Sequence, residues 1–349
     1  MTPTNTALSV VSAEPPQIPV AEIERAVEQQ FSLQGDLSPL VSERDQNFHL
    51  KVDPGAEYVV KVASAAEPTS ASDFQTAALS HLEKVRTVSA PRVVRTLEGR
   101  SSGSIEHDDT TYRLRLVSYL AGELLTSAAV DPDLARDFGV QLASLDIGLQ
   151  GFSHEGETPD LLWDLQRAAE LRDILGCIND PTVLEGVTRV IDDFDKLVSP
   201  KLRSLRMQVI HGDANPDNVL IDPSSRRVTG FIDFGDMVRA PLVFDVAIAA
   251  SYLRAADAGA LELITPLVEG YHAKNPLQAS ELALLFDLVR ARLATTITLL
   301  YWRLAARDHD DPYRQKTLDR EAGAYAFLTA LDALGRADFL RTLRLRLRL

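Results

Sequence analysis

The sequence lacks the features that mark secreted, membrane-bound and thiol-dependent proteins. Its 349 residues include one cysteine, Cys177, so an internal disulfide is excluded, and the apolar helical context of Cys177 predicts an inert buried thiol. No apolar run approaches the roughly 18 residues that cross a bilayer. Residues 1–19 lack the basic and apolar segments of a signal peptide. We therefore expect a cytoplasmic protein without membrane contact and with a loose polar leader over residues 1–19.

Basic residues are also scarce, because 36 lysines and arginines face 50 aspartates and glutamates, for a formal net charge of −14. Nucleic-acid binding requires clustered Lys and Arg side chains that displace counterions from phosphates. No such cluster precedes the final "RTLRLRLRL". The charge argues against nucleic acid as a partner and favours a small or cationic substrate. The alternation of Arg and Leu at the end is compatible with an edge strand, a helix end, a fragment boundary or a homodimer contact.

The pattern of apolar residues predicts an α+β protein with two parts, since 349 residues exceed what one core usually organises. The smaller part, residues 20–118, begins with an amphipathic helix and is then rich in alternating strand patterns. It includes a hairpin around the turn Asp53-Pro54-Gly55, a helix over about 72–85, and strands near 92–96 and 112–116. The larger part, residues 119–349, shows helical periodicity over 134–149, 161–175, 183–197, 241–256, 281–304 and 317–334.

One stretch, "VIHGDANPDNVLIDPSSRRVTGFIDFGD", interrupts the helical part with two short strand patterns. Asp213 and Asn218 follow the first apolar run, and Asp233 follows the second, so a hairpin would bring the three side chains together. Phosphoryl transfer needs a carboxylate to deprotonate the attacking hydroxyl, and oxygen ligands to hold magnesium. The spacing D-x-x-x-x-N followed by D-F-G is typical of the protein-kinase catalytic and metal loops, with HGD in place of HRD.

The same residue types also build surface turns, so HGD or DFG alone would more often be turn chemistry. Both occur here in the right order and each follows a strand, which favours the catalytic interpretation. We predict that His211 fixes the loop, because the neighbouring Asp213 already supplies a base. Asp236 is either a turn cap or a residue close enough to the metal loop to contact substrate.

A kinase-like site also requires a lysine on an inner strand to bind nucleotide phosphates. Lys61 in "EYVVKVA" interrupts an apolar strand and is predicted to point inward, where an unpaired ammonium is costly. The alternative is a solvated lysine on an edge strand. The sequence has no G-x-G-x-x-G loop, so the turn "SERDQNF", with Ser42 and Asn47, is the segment expected to cover the phosphates.

The segments "HGDANPDN" and "GFIDFGD" resemble the aminoglycoside phosphotransferase/choline kinase family, and the similarity spans about residues 20–340. With "SERDQNFHL", "EYVVKVA" and "IDFGDMVRAPLVFDVAIA", they look most like hydroxylysine kinases and the kinase domains fused to class III aminotransferases. The resemblance implies a bilobal protein-kinase-like fold, with a small antiparallel-sheet nucleotide lobe before residue 119 and a large helical catalytic lobe after it. It implies phosphotransfer from ATP or GTP to an alcohol group with Mg²⁺.

The resemblance also implies roles for particular residues. Asp213 is the implied base, Asn218 and Asp233 are the implied magnesium ligands, and Lys61 is the implied phosphate-binding lysine. Asp245 in "VFDVA" resembles the acid that supports the catalytic loop.

The hinge and the N-terminal helix add two further expectations. The hinge "VSYLAG" would hold the nucleotide base through backbone groups at Val117 to Tyr119, which leaves ATP and GTP as alternatives. The family places a glutamate on the helix of the smaller part to pair with the strand lysine, whereas this sequence has Gln75, so we expect Gln75 to contact Lys61 or Asp73 to replace the glutamate.

The acceptor is expected to bind in the larger part, where the run "MVRAPLVFDVAIAASYL" is mostly apolar and favours a small molecule. We predict an amine-bearing alcohol such as hydroxylysine, homoserine or ethanolamine, with Asp236 for its ammonium and Arg239 or Arg303 for a carboxylate. An aminoglycoside phosphotransferase is the alternative within the family. A nucleotide-binding pseudokinase that regulates a partner protein is the alternative from another class, although each catalytic role is filled. A magnesium-dependent hydrolase would need a second carboxylate cluster.

Overall fold

The computed structural model describes residues 15–42, 44–254, 259–305 and 323–349. The chain divides into two compact units. The first unit runs to Ala121 and also includes Phe152–Leu162, and the second contains Gly122–Gly151 and the described residues from Trp163 onward. No sequence pattern predicts that residues 152–162 belong to the first unit. They pack there on a helix through Phe152, which stacks on Phe74 with ring centroids 6.1 Å apart.

The first unit is built on an antiparallel sheet. Its elements are α1 (Val20–Phe31), β1 (Asp36–Leu40), β2 (Gln46–Val52), β3 (Ala56–Val62), α2 (Thr69–Val85), β4 (Val93–Val94), β5 (Gly103–His107) and β6 (Thr110–Ser118). The strand order is β1-β2-β3-β6-β4, and β5 also pairs with β6. The predicted hairpin is β2-β3, and the alternation continues into β6.

Strand alternation sorts the side chains of this sheet onto two faces. Phe48, Val60 and Leu116 are neighbours across β2, β3 and β6, and they are buried with Ile23 and Val27 of α1 in one core. The register places Asn47, Lys61 and Arg115 side by side on the same three strands, one position away. These three polar residues therefore share the opposite face of the sheet.

The second unit is mainly helical, and its described residues also form two small antiparallel sheets. Its strands are β7 (Glu123–Leu124), β8 (Met207–Ile210), β9 (Val219–Asp222), β10 (Arg227–Phe231) and β11 (Val238–Pro241). Its α-helices are α3 (Pro132–Leu149), α4 (Pro181–Asp193), α5 (Val243–Tyr252), α6 (Ile264–Lys274), α7 (Ala279–Leu282), α8 (Leu285–Ala305), α9 (Ala324–Leu334) and α10 (Arg336–Leu347). The sheets pair β10-β9-β7 and β11-β8.

Helices α3 and α6 approach each other closely because each has a glycine at the contact. A Cβ on Gly139 would lie 2.0 Å from the Leu267 carbonyl oxygen, and one on Gly270 would lie 2.0 Å from that of Arg136. A larger residue at either position would force the two backbones apart.

The structure differs from several predicted helices. Residues Leu165–Cys177 form 3₁₀ turns in place of the α-helix predicted over 161–175, and α5 begins at Val243 because Pro241 ends a strand. The helix predicted over 281–304 is interrupted between α7 and α8. The helix predicted over 317–334 lies partly outside the described residues, which show α9 from Ala324.

The C-terminal Arg and Leu alternation lies in a helix, α10, and not in an edge strand. A helix cannot bury every second residue, so Leu343 is buried while Leu345 remains 73% exposed. Among the described residues, no helix is long and apolar enough to span a bilayer. Cys177 is half-buried, its thiol donates to the Thr298 carbonyl oxygen at 3.7 Å, and burial raises the pKa of the thiol.

Candidate active site

The loop after β8 begins with a glycine that the local backbone requires. Gly212 has a φ of +77°, and a Cβ there would lie 2.2 Å from the Asp236 carbonyl oxygen. A side chain at this position is therefore excluded by both backbone conformation and space. This close approach explains why the sequence has HGD where protein kinases have HRD.

Asp245 of α5 holds the same loop through hydrogen bonds to its backbone. Its two carboxylate oxygens accept hydrogen bonds from the backbone N–H groups of His211 and Gly212, each at 2.8 Å. Asp245 is fully buried, so these bonds form in a low-dielectric environment where they are strong. The geometry supports the loop-supporting role proposed for Asp245.

Both ring nitrogens of His211 are engaged. Nε2 lies 3.1 Å from the Ile232 carbonyl oxygen, and Nδ1 accepts from the Asp213 backbone N–H at 3.3 Å. A neutral imidazole with its proton on Nε2 satisfies both contacts. The His211 ring is fully buried and meets Phe234 edge-on at 4.8 Å. The ring therefore connects the loop to the segment before Asp233, which supports a positioning role.

Three donors hold the Asp213 carboxylate. Its Oδ2 accepts from the side-chain amides of Asn215 at 2.8 Å and Asn218 at 2.9 Å, and its Oδ1 accepts from Arg292 at 2.7 Å. Burial raises the pKa of Asp213 to about 7, the Arg292 guanidinium opposes this rise, and the Asp236 carboxylate adds to it. A carboxyl group with a pKa near neutrality is suited to general-base catalysis.

Arg292 is a residue of the site that the sequence analysis missed. It lies in α8 and is 1% exposed, with its guanidinium 4.9 Å from the centre of the Trp163 ring. A signal was present in the sequence, because an arginine within the apolar run "LVRARLATTI" requires a buried partner. That signal could not identify Asp213 as the partner.

The β9-β10 hairpin brings Asn218 next to the DFG segment. Phe231 lies opposite Val219, and the Ile232 N–H donates to the Asn218 carbonyl oxygen at 2.9 Å. The Asn218 side-chain nitrogen donates to Asp213, so its side-chain oxygen is the atom left to bind a cation. Asp233 has a left-handed φ of 56°, and its carboxylate accepts from the Gly235 N–H at 3.3 Å.

A small pocket, with about 10 Å³ of space for the centre of a water molecule, lies beside the catalytic loop within the second unit. Its lining combines apolar side chains with two carboxylates: Trp163, Asp164, Leu165, Ile210, Gly212, Asp236, Val238, Phe244 and Ile248. Burial raises the pKa of Asp164 to about 6, while hydrogen bonds from Gln166 lower it. Asp236 was predicted from the sequence, whereas Asp164 was not. The volume of the pocket is about the space that one water molecule needs, so the pocket can take a small group at most.

The two arginines predicted for an acceptor carboxylate lie outside this lining. Arg303 stacks on the Trp163 ring at 5.1 Å from its centre. Arg239 lies in β11, where its carbonyl oxygen accepts from the Gln166 side chain at 3.1 Å.

In the first unit, Lys61 lies beside a buried arginine that the sequence analysis did not single out. Arg115 is 5% exposed and donates to the Gln75 side-chain oxygen at 2.7 Å. The sequence suggested Lys61 as the donor to this oxygen. Asp73 pairs with Arg113, and the carboxylates nearest Arg115 are those of Asp45 at 3.9 Å and Glu67 at 3.8 Å.

The turn that contains Ser42 and the hinge segment from Val117 to Tyr119 make local backbone contacts. The Ser42 hydroxyl accepts from the Asp45 N–H at 3.2 Å. Val117 is paired with Val59 and Val93 within the sheet. The Tyr119 N–H donates to the Glu57 carbonyl oxygen at 3.0 Å, and its ring stacks on His49 at 4.1 Å.

A carboxylate with a raised pKa, held on a loop with an amide beside it, is an arrangement that phosphoryl transfer requires. Residues 36–282 match the model of the APH family, the phosphotransferase enzyme family. The match covers more than half of the chain, and the chain belongs to this family.

Relatives and solved structures agree with this assignment. The hydroxylysine kinase of Danio rerio is 27% identical over 288 residues, which cover 79% of this chain and 81% of that protein. The structure of amicoumacin kinase hAmiN, in complex with AMP-PNP, Ca²⁺ and Ami, superposes with a TM-score of 0.68 at 16% identity, over 91% of this chain and 95% of that one. A microcompartment-associated aminopropanol kinase gives a TM-score of 0.65 at 18% identity, over 93% and 99%.

The protein is thus a small-molecule kinase that phosphorylates a hydroxyl group, and the predicted protein-kinase-like α+β fold is confirmed.

Proposed function

We propose that this chain transfers the γ-phosphoryl group of ATP or GTP to the hydroxyl of a small amine-bearing metabolite, with hydroxylysine as the first candidate. The observation that carries the proposal is the position of Asp213 on Gly212–Asn218, next to a pocket that contains Asp164 and Asp236. A proton acceptor and a site for a cationic group therefore lie side by side.

Asp213 would orient the acceptor hydroxyl and accept its proton. The side-chain oxygen of Asn218 and the carboxylate of Asp233 would hold Mg²⁺, since both are hard oxygen ligands. The fit is supported by the charges around Asp213: burial raises its pKa, and the Asp236 and Asp233 carboxylates add to the rise, so a cation would be attracted to this group. Bound magnesium would supply charge neutralisation for the phosphates.

The acceptor ammonium would bind between Asp164 and Asp236, with the Trp163 side chain as an apolar wall. A buried carboxylate with a raised pKa gains most from a cationic partner, because the partner offsets the cost of burying its charge. The small pocket favours an aminoalkyl group over a polycyclic aminoglycoside. Similarity to hydroxylysine kinases and to an aminopropanol kinase supports this class of acceptor.

The nucleotide phosphates would bind the first unit through Lys61 and the turn that contains Ser42 and Asn47. Val117 and Tyr119 would hold the base through backbone carbonyl groups, since the Tyr119 N–H is already bonded to Glu57. A cytoplasmic location and a homodimer stay predictions from the sequence.

The test is a screen of hydroxylysine, homoserine, ethanolamine, choline and two aminoglycosides, each with ATP and with GTP. We expect the highest kcat/KM on a small amine-bearing alcohol. Asp164→Asn should lower this kcat/KM by raising the KM for the acceptor. A preference for an aminoglycoside, or for an acceptor without nitrogen, would refute the proposed substrate class.

A further inference from the structure

The guanidinium of Arg292 is held in one orientation. It lies over the Trp163 ring at 4.9 Å and over the Tyr252 ring at 5.7 Å. It donates to the Trp163 carbonyl oxygen at 3.2 Å and to the Tyr252 hydroxyl at 3.3 Å. Two aromatic faces and two acceptors thus fix a planar group whose position a lysine could not reproduce.

This arrangement is not one that maximises stability. Arg292 is 1% exposed, and its Nε–H has no hydrogen-bond partner within the part of the chain that the structure describes. A buried donor without an acceptor lowers stability. Such a cost is expected where a side chain is kept for function.

The contact with Asp213 completes the geometry. Arg292 donates to Oδ1 at 2.7 Å, while Asn215 and Asn218 donate to Oδ2 at 2.8 and 2.9 Å. Rotation of the Asp213 carboxylate would break bonds on both oxygens at once. Without the arginine, only the two amides on one oxygen would resist that rotation.

We propose that Arg292 is a positioning residue for phosphoryl transfer, and that its guanidinium, clamped by Trp163 and Tyr252, holds the Asp213 carboxylate in its working orientation. The inference rests on the proposed function, because it requires Asp213 to be the proton acceptor. Arg292 acts through Asp213 and does not touch the substrate, since its side chain is enclosed.

A neighbouring arginine provides a matched control. Arg290 lies two positions earlier in α8 and is 4% exposed. It pairs with Asp193 at 2.8 Å and Asp332 at 2.7 Å, and neither residue belongs to the catalytic loop. Substitution of Arg290 therefore disturbs a buried ion pair of α8 while leaving the Asp213 contact in place.

The experiment is a double-mutant cycle of Arg292→Met and Asp213→Asn, with Arg292→Lys and Arg290→Met alongside. Because a misplaced catalytic group can cost about 100-fold, Arg292→Met should lower kcat by about that factor and change the nucleotide KM less than about threefold. In the Asp213→Asn background the same substitution should lower kcat less than about threefold, because it acts through the absent carboxylate. Arg290→Met should retain kcat within about threefold despite a loss of stability.

Arg292→Lys keeps the positive charge but lacks the planar guanidinium, so its kcat should lie between those of wild type and Arg292→Met. It replaces Arg292→Met in the cycle if the methionine variant does not fold. Equal losses of kcat in the wild-type and Asp213→Asn backgrounds would overturn the proposal, as would full activity in Arg292→Lys and Arg292→Met. The kcat of each variant is measured with hydroxylysine as acceptor. It is also measured with water as acceptor, by following nucleotide hydrolysis. A wild-type enzyme that hydrolyses nucleotide but phosphorylates no tested amine refutes the proposed substrate, while the hydrolysis cycle still decides the role of Arg292.

Discussion

The two buried carboxyl groups under the catalytic loop should respond in opposite ways to the same substitution. Asp146 of α3 and Asp245 of α5 are both fully buried, and burial raises the pKa of each. Two buried carboxyl groups that interact with each other are not both charged, so one of them carries a proton. Asp245 accepts from two backbone N–H groups, which favours its charged form. Burial and then the Asp245 charge raise the pKa of Asp146, so the proton belongs to Asp146.

Asp146→Asn should therefore not lower stability at neutral pH. The new amide is neutral, as the protonated carboxyl is, and its oxygen can still accept from the Tyr271 hydroxyl. Asp245→Asn offers one acceptor oxygen to two donors, the His211 and Gly212 N–H groups. Loss of a charged acceptor and a stranded buried donor should lower the unfolding free energy by about 3–5 kcal/mol.

The effect of pH gives a second measure of the Asp146 proton. When the pKa of a carboxyl group is raised in the folded state, the free energy of unfolding falls as the pH rises above the pKa of an aspartate in the unfolded chain. The reason is that the unfolded chain releases the proton first. Asp146→Asn removes this loss, so the stability of the variant relative to wild type should increase between about pH 4 and pH 7.

Urea unfolding followed by circular dichroism, at pH 5 and pH 7.5, measures both midpoints and slopes. Equal destabilisation by Asp146→Asn and Asp245→Asn, or a loss in Asp146→Asn that grows with pH, would show that the proton is not on Asp146.

Other substitutions test individual roles in the site. Asp213→Asn should lower kcat by about 10²–10⁴-fold while nucleotide affinity, measured by calorimetry, is retained; turnover within threefold of wild type would refute the base assignment. Asp233→Ala should weaken nucleotide binding in the presence of Mg²⁺ much more than in its absence, and equal affinities with Mg²⁺ would exclude it as a ligand. Gln75→Glu should weaken nucleotide binding, because a further carboxylate competes with the phosphates for cations, and should lower thermal stability, because Gln75 donates to Glu67; tighter binding would contradict this.

The parts of the site that the sequence predicted are those in which local chain geometry determines the contact. Asp213 and Asn218 lie on one loop five residues apart, and a short hairpin returns the chain so that Ile232 bonds to Asn218. Motif spacing is sufficient for such contacts. The β2-β3 hairpin was predictable for the same reason, since one turn and an alternating pattern fix its register.

The contacts that were missed depend on packing between distant segments. Arg292 and Asp213 are 79 positions apart, and Arg115 and Gln75 are 40 apart. Periodicity shows which face of a helix or strand is buried, but it cannot show which buried residue lies opposite. The 3₁₀ turns over Leu165–Cys177 were missed because apolar spacing does not separate them from an α-helix.

The neutral Gln75 is explained by the charges around it. Arg115 and Lys61 are neighbours on β6 and β3, and the carboxylates of Asp45 and Glu67 lie near Arg115. Burial raises the pKa of Asp45, and the charge of Lys61 opposes that rise, so Lys61 also interacts with Asp45. The charge of Arg44 also acts on Asp45, so three cations meet two carboxylates before any nucleotide binds. A glutamate at position 75 would cancel the excess positive charge that attracts phosphates and would face Glu67, whereas the amide orients Arg115 and donates to Glu67 without changing the balance.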